Sequence, residues 1–364
     1  MSELFIGLMS GTSMDGIDAV LVDFSNTSPQ CIAHHHMPLS ADLKQRLENT
    51  QGKSSIDFME LGSLDVAMGR ALADAVNALI KKNNIDKNSV TAIGSHGQTL
   101  FHHPHGDEPF TLQIGDPNII TANTRITTIA DFRRRDMALG GQGAPLAPGF
   151  HAYLFGDQAP CCFANIGGIA NITVMHPNKE TIGYDTGPGN TLLDYWSQTH
   201  QNEPFDCDGA WAEAHDVNQE LLQTLLEDPY FSIAHPKSTG RETFNATWLN
   251  KRLEHFPKLD PGVVQATLTA FTATHVANAL NTHLDTGNVW VAGGGVHNNS
   301  LMQALSKQCP SLSIQSTETI GIHPQWIEAM AFAWIAYQTH HEKPGNLPSV
   351  TGASEPAVLG GIWN

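Results

Sequence analysis

One plan occurs twice in this 364-residue chain: three short apolar runs parted by turns, followed by a stretch with helical periodicity. In the first half the runs are 4–9, 17–24 and 31–37. A Gly-rich turn parts the first two, and Asn26-Thr27-Ser28-Pro29 the next two. Runs of strand length between turn residues predict an antiparallel meander. From Asp57 to Lys82, apolar residues recur at Leu61, Leu64, Met68, Leu72, Val76, Leu79 and Ile80, which predicts a long helix. Lys81 and Lys82 close it, where cations suit the helix dipole. Val90–Gly94, Phe110–Ile114 and Thr127–Ala130 read as further short strands.

The second half starts again with Cys162–Ile166, Ile169–Met175 and Thr181–Tyr184, and helices are expected over 190–200, 209–227 and 243–256. Asp260-Pro261 is an N-cap followed by proline at the first helical position. The helix it opens carries Val264, Leu268, Phe271 and His275 on one face and runs to Leu284. Asn288–Ala292 is a strand entering Gly293-Gly294-Gly295, and helices over 298–307 and 325–341 are expected to complete this half.

A plan given twice implies an α/β protein of two duplicated domains, each a mixed β-sheet flanked by helices. The length also exceeds what one core usually serves. The first domain is expected at 1–130 with the Gly- and Pro-rich segment 344–364 returning to it, the second at 131–343. A cleft between them is where a ligand would be sought.

Charge narrows the ligand. The formal net charge is −17, which excludes a nucleic-acid partner held by clustered Lys and Arg. No run approaches the ~20 apolar residues of a membrane span, and the start MSELFIGLMSGTSMDG has no basic region before an apolar core, so a cytoplasmic protein is expected. The five cysteines, with Cys161 and Cys162 adjacent in an apolar run, read as reduced and buried. An acidic chain can still bind a nucleotide where backbone dipoles and a divalent cation supply positive charge.

Three glycine-containing turns, Gly11–Asp18, Gly183–Asn190 and Gly293–Asn298, each follow a predicted strand. The first gathers backbone N–H groups, the hydroxyls of Ser10, Thr12 and Ser13 and the carboxylate of Asp15, as a loop around a metal-bound polyphosphate requires. Magnesium takes one or two carboxylates. Asp15 lies in the turn and is the candidate ligand, whereas Asp18 is entering the next strand. Asp185 stands where a strand meets a loop of two glycines and a proline. Arg133, Arg134 and Arg135 form the densest cationic run, and charge runs are commonly solvated and locally paired, here with Asp131 and Asp136. His96, Gln98 and Asp116 sit at predicted strand ends, suited to sugar hydroxyl or amide groups or to structural hydrogen bonds. Adjacent histidines in a strand point to opposite faces, so His34-His35-His36 is not a metal cluster.

The order and spacing of the three turns resemble the sugar kinase, Hsp70 and actin superfamily. Further blocks make the likeness specific. Residues 7–18, Ser-His-Gly-Gln-Thr (95–99), Gln-Ile-Gly-Asp (113–116), Asp-Phe-Arg-Arg-Arg-Asp (131–136), Gly-Gly-Gln-Gly-Ala-Pro-Leu (140–146), Asn-Ile-Gly-Gly-Ile-Ala-Asn (165–171) and Asp-Thr-Gly-Pro-Gly-Asn (185–190) together resemble the anhydro-N-acetylmuramic acid kinases.

That resemblance implies two actin-like (RNase H-like) domains that close on ATP with Mg2+. Gly11, Thr12, Ser13, Met14, Asp15, Gly16, Ile17 and Asp18 would form the first phosphate loop. Gly187, Gly189 and Asn190 would form the second, and Gly293, Gly294 and Gly295 the adenosine loop. It implies a 1,6-anhydro sugar opened by water and phosphorylated on O6, with Asp185 as the base for the water. The sugar's lactyl carboxylate suits a planar guanidinium, Arg134 or Arg133. His96, Gln98 and Asp116 would complete the sugar site. By analogy with the superfamily, a homodimer is expected.

Two decoys accompany these signals. Gly52-Lys53-Ser54 imitates the end of a P-loop, but Leu47 stands where the first glycine should be. Asp185-Thr186-Gly187 and Asp285-Thr286-Gly287 imitate an aspartic protease dyad. That rival requires an almost wholly β chain, and Asp285 falls at the end of a predicted helix. Another ATPase of the same fold, a chaperone or filament, would share the phosphate loops without needing a sugar.

Overall fold

The computed structural model describes residues 3–11, 14–26, 28–50 and 53–364. Thr12 and Ser13 of the first glycine turn lie outside the described residues. The chain divides into two compact units, Met1–Phe150 with Trp326–Asn364, and His151–Gln325.

In the first unit β1 (Leu4–Met9), β2 (Gly16–Asp23) and β3 (Gln30–Pro38) form the expected antiparallel meander. After the helix Phe58–Lys82 come β4 (Val90–Ser95), a separate hairpin of β5 (Gln98–His103) and β6 (Phe110–Ile114), and β7 (Thr128–Ala130). The main sheet has the order β3-β2-β1-β4-β7, with β4 parallel to β1 and β7 parallel to β4. The C-terminal strand Gly361–Trp363 adds antiparallel to β7 at the edge of this sheet.

The second unit repeats this topology. Its strands are β8 (Cys161–Ile166), β9 (Ile169–Met175), β10 (Ile182–Pro188), β11 (Gly287–Ala292) and β12 (Leu312–Ser316). Their order is β10-β9-β8-β11-β12, antiparallel through the meander and parallel across β8, β11 and β12. Each unit is thus a mixed sheet of one strand order flanked by helices, the duplicated actin-like plan.

Packing explains where the units divide. On one face of the first sheet, Ile6, Leu8, Ile17, Ala19 and Leu21 meet Leu64, Met68, Leu72 and Leu79 of the helix Phe58–Lys82. Each large side chain so buried contributes about 1.5–3 kcal/mol, more than helix propensity supplies. The opposite face is covered by the helix Ile327–His340, which lies on β1 and β4. A Cβ at Gly7 would overlap the Ala329 carbonyl and one at Gly94 the Phe332 carbonyl, so two glycines let the helix backbone touch the sheet. This helix, expected in the second domain, therefore belongs to the first, and the units divide at 150 and 326 rather than at 130 and 343. Its own sequence is apolar on every side, which marks it as buried without saying against what.

Other expectations change in detail. The helix expected at 209–227 is two, Ala210–Glu213 and Gln219–Leu226, the second capped by Asn218. Three strands lie outside the expected runs: β5, the C-terminal strand Gly361–Trp363, and the edge strand β12, in which Leu312 and Ile314 alternate with Ser313 and Gln315 and are its apolar residues. β10 runs on through Asp185 to Pro188 instead of ending at Tyr184.

Candidate active site

In the first unit the glycine turn joins β1 to β2 and is braced by side chains. Buried Ser10 donates its hydroxyl to Gln98 Oε1 at 2.7 Å and lies 3.2 Å from Gly16 O. Gln98 Nε2 reaches back to Gly11 O at 3.4 Å. Met14 N–H donates to Gly11 O, its side chain is buried, and Gly16 and Ile17 already belong to β2. Gln98, expected on the sugar, is thus engaged in holding the turn. Asp15 projects outward, its side chain 69% exposed and 3.5 Å from Lys44 Nζ, open enough to take a cation. Asp18 instead pairs with His36 Nδ1 at 2.8 Å. Among the described residues, no group of three His, Cys, Asp or Glu side chains is placed to hold a metal.

The cationic run divides into one inward and two outward residues. Arg133, on the helix Phe132–Ala138, donates through Nε and Nη2 to His96 Nε2 at 3.2 and 2.9 Å, and through Nη1 to Gly143 O at 2.8 Å. His96 Nδ1 lies 3.0 Å from Gly97 O. With its Nδ1 proton on that carbonyl and Nε2 accepting from Arg133, the imidazole is neutral. Burial, with the charge of Arg133 beside it, holds its pKa well below the ordinary histidine value. Burial also lowers Arg133 to about 10, against the opposing charges of Glu328 and Asp136.

Asp136 is fully buried and fixes this corner. It accepts from Gly143 N, Asn346 Nδ2 and Thr351 Oγ1 at 2.7 to 2.8 Å, tying the 140–146 segment and the C-terminal segment to the arginine helix. Glu328, at the start of the helix Ile327–His340, joins the same electrostatic neighbourhood: loss of hydration and the charge of Asp18 push its carboxyl up, and Arg133 pulls it down. Arg134 and Arg135 are exposed, Arg134 lying 3.5 Å from Asp131. Asp116 caps the helix Pro117–Thr124, accepting from Asn118 N, so its carboxylate has the structural role.

In the second unit Asp185 is held at three points by a single connection. Its N–H donates to Lys237 O at 3.2 Å, its carbonyl accepts from Tyr230 Oη at 2.6 Å, and its Oδ2 accepts from Thr239 N at 3.0 Å. Lys237 Nζ in turn donates to Tyr230 O and sits 4.5 Å from that ring. Burial raises the Asp185 carboxyl to about 6, the Thr239 N–H opposes this, and the charge of Glu242 adds to it. The carboxylate does not cap the following helix, whose N-cap is Asn190.

The turns of this unit carry a correction. Gly189 N donates to Gly168 O at 2.9 Å and Asn190 N to Gly167 O at 2.7 Å, while Gly187 and Pro188 pair with Ala170 and Ile169 in the sheet. The Gly187–Asn190 segment therefore spends N–H groups expected on phosphate inside the protein. The segment joining β8 to β9, Gly167-Gly168, is the topological counterpart of the first glycine turn. Its N–H groups have no hydrogen-bond partner among the described residues. The third turn stands beside it: a Cβ at Gly293 would approach Asn165 Oδ1 and Ile166 O, one at Gly294 Asn190 Nδ2, and one at Gly295 would overlap the Ile166 side chain. In the sequence this turn lies within the block 165–171, as two glycines between two predicted strands at the position equivalent to 10–16. No such signal marked Asp136 or Glu328.

The protease rival finds no support in this arrangement, since Asp285 lies exposed in the turn after the helix Pro261–His283. No helix among the described residues is long and apolar enough to cross a membrane. The family model for anhydro-N-acetylmuramic acid kinase matches residues 3–364. The chain belongs to that family. An anhydro-N-acetylmuramic acid kinase of Coxiella burnetii is 51% identical over 99% of this chain and 97% of its own length. One from Shewanella denitrificans is 50% identical over 100% and 98%. The protein is accordingly a kinase for a small anhydro amino sugar in cell-wall recycling, converting anhydro-N-acetylmuramic acid, water and ATP to N-acetylmuramic acid 6-phosphate and ADP.

Proposed function

We propose that Asp185 is the general base that takes a proton from the water attacking the anomeric carbon. The supporting observation is its clamp: Thr239 N–H occupies Oδ2, which leaves Oδ1 to receive the proton, and burial raises the carboxyl to about 6. A base with a pKa just under the working pH is ionised yet still basic. As water bonds to the anomeric carbon, O6 leaves that carbon and takes the γ-phosphoryl group. One ATP and one water are consumed, and the proton held on Asp185 is later released. We place this reaction in the cytoplasm, where ATP is supplied.

Arg133, rather than Arg134, is the candidate for the lactyl carboxylate. A guanidinium has five N–H groups; three are used on His96 and Gly143, and those left on Nη1 and Nη2 are held in a fixed direction. His96 then serves the sugar indirectly, as the acceptor that orients Arg133. In the first unit the turn 11–18 would receive the nucleotide phosphates, with Asp15 as the carboxylate for Mg2+, an ion that neutralises phosphate charge when bound. In the second unit Gly167-Gly168 would meet phosphate and Gly293–Gly295 the nucleoside.

The test is an ADP-release assay with anhydro-N-acetylmuramic acid against N-acetylmuramic acid. Turnover is expected with the anhydro sugar alone, because the leaving O6 must come from the internal ether. Equal use of both sugars would refute the mechanism.

A further inference from the structure

The connection that clamps Asp185 also carries an arginine to the glycine turn of the same unit. Arg241 follows Thr239 by two residues, and its guanidinium packs on Gly168: a Cβ there would stand 3.3 Å from Nη2 and 3.6 Å from Nε. Its backbone is fixed by Asn245, whose Nδ2 donates to Arg241 O at 3.2 Å while Asn245 itself caps the helix Ala246–Leu253. Arg241 is exposed, and among the described residues no carboxylate lies within ion-pair distance of it. A planar cation beside two free backbone N–H groups is an arrangement for an oxyanion.

We propose that Arg241 is a catalytic residue that binds the transferring γ-phosphoryl group, a role resting on the base assignment above. The reaction itself sets the distance. Water attacks the anomeric carbon, O6 is bonded to that carbon, and phosphorus is transferred to O6, so base and phosphoryl group are only a few bonds apart. Two residues of chain span at most ~7 Å, and a further arginine side chain covers the gap between the Thr239 clamp on Asp185 and the oxygens on phosphorus. Thr239 and Arg241 thus make one short element set both the base and the charge that forms at the far end of O6.

The test is Arg241→Ala and Arg241→Lys in the full chain, with wild type alongside. Arginines on a transferring phosphoryl group are worth about 10³–10⁵ in rate. Arg241→Ala is expected to lower kcat at least 10²-fold, with the KM for the anhydro sugar within about twofold of wild type. By calorimetry it should weaken binding of a non-hydrolysable ATP analogue about tenfold or more and leave ADP binding unchanged, with the lysine variant intermediate. Equal weakening of analogue and ADP would overturn the proposal, as would a raised sugar KM with analogue binding intact, which would assign Arg241 to the sugar's carboxylate. Asp185→Asn is the separating control: the share of the analogue-over-ADP preference that Arg241 supplies is independent of the base, so it survives in that variant whether or not Asp185 is the base.

Discussion

The two hairpin turns at equivalent places, β1 to β2 and β8 to β9, are stabilised by different balances of side chain and backbone. The first is braced by side chains, Ser10 on Gln98 and Gln98 on Gly11. The second is braced mainly by backbone, its carbonyls taking the N–H groups of Gly189, Asn190 and Thr191, with the Thr191 hydroxyl also donating to Gly168 O at 2.7 Å. A side-chain brace can be weakened stepwise. A backbone brace depends on the absence of a Cβ, because one at Gly189 would overlap Gly167 O. Duplication conserved the topology and let the means of rigidity diverge. The second turn also has Asp185, the base proposed above, on the strand that braces it, so in that reading rigidity and chemistry are joined.

The comparison can be broken most directly at the base. Asp185→Asn should reduce kcat by about 10²–10⁴ while nucleotide affinity, read by calorimetry, is kept; near-normal turnover would detach the second turn from the chemistry. Next in size is the contrast of braces. Gly189→Ala forces a carbon into the Gly167 carbonyl and should cost about 1–3 kcal/mol of stability with a large fall in kcat. Gln98→Ala leaves Ser10 its contact with Gly16 O and should cost about 1 kcal/mol. Denaturant melts of both variants decide it, and equal losses would remove the distinction.

A third prediction separates the arginines of the first unit. Arg133→Ala should raise the sugar KM about tenfold or more, as loss of a charge-assisted hydrogen bond implies, and Arg134→Ala should leave it within about twofold. The smallest effect concerns pH. With the Asp185 carboxyl raised to about 6, kcat/KM should fall as pH drops through that value, because protonation removes the base. Glu242 adds to the rise, so Glu242→Gln should move the acid limb to lower pH, and an unmoved limb would separate Glu242 from the base.

Much of this architecture was legible in the sequence because short-range chemistry writes it. The meanders and the helices Phe58–Lys82 and Pro261–His283 follow from periodicity, caps and turn residues. The family blocks marked the glycine turns and singled out Asp185 as the candidate base. Where local signals stop, long-range hydrogen bonds decide. Gly183–Asn190 looked like a phosphate loop because it is rich in glycine, yet its N–H groups are consumed by a turn distant in sequence. Asp116 and Gln98 looked like sugar ligands and are a helix cap and a turn brace.

By itself the sequence determined the family, the duplicated α/β plan and the kinds of group available, since each depends on residues close together in the chain. Tertiary structure decided which unit owns the helix Ile327–His340, which arginine turns inward, and which N–H groups remain for a ligand. Those outcomes depend on a carbonyl, a neighbouring glycine or an imidazole brought close by packing. Hydrogen-bond donors are finite, and only the assembled fold shows which are already spent.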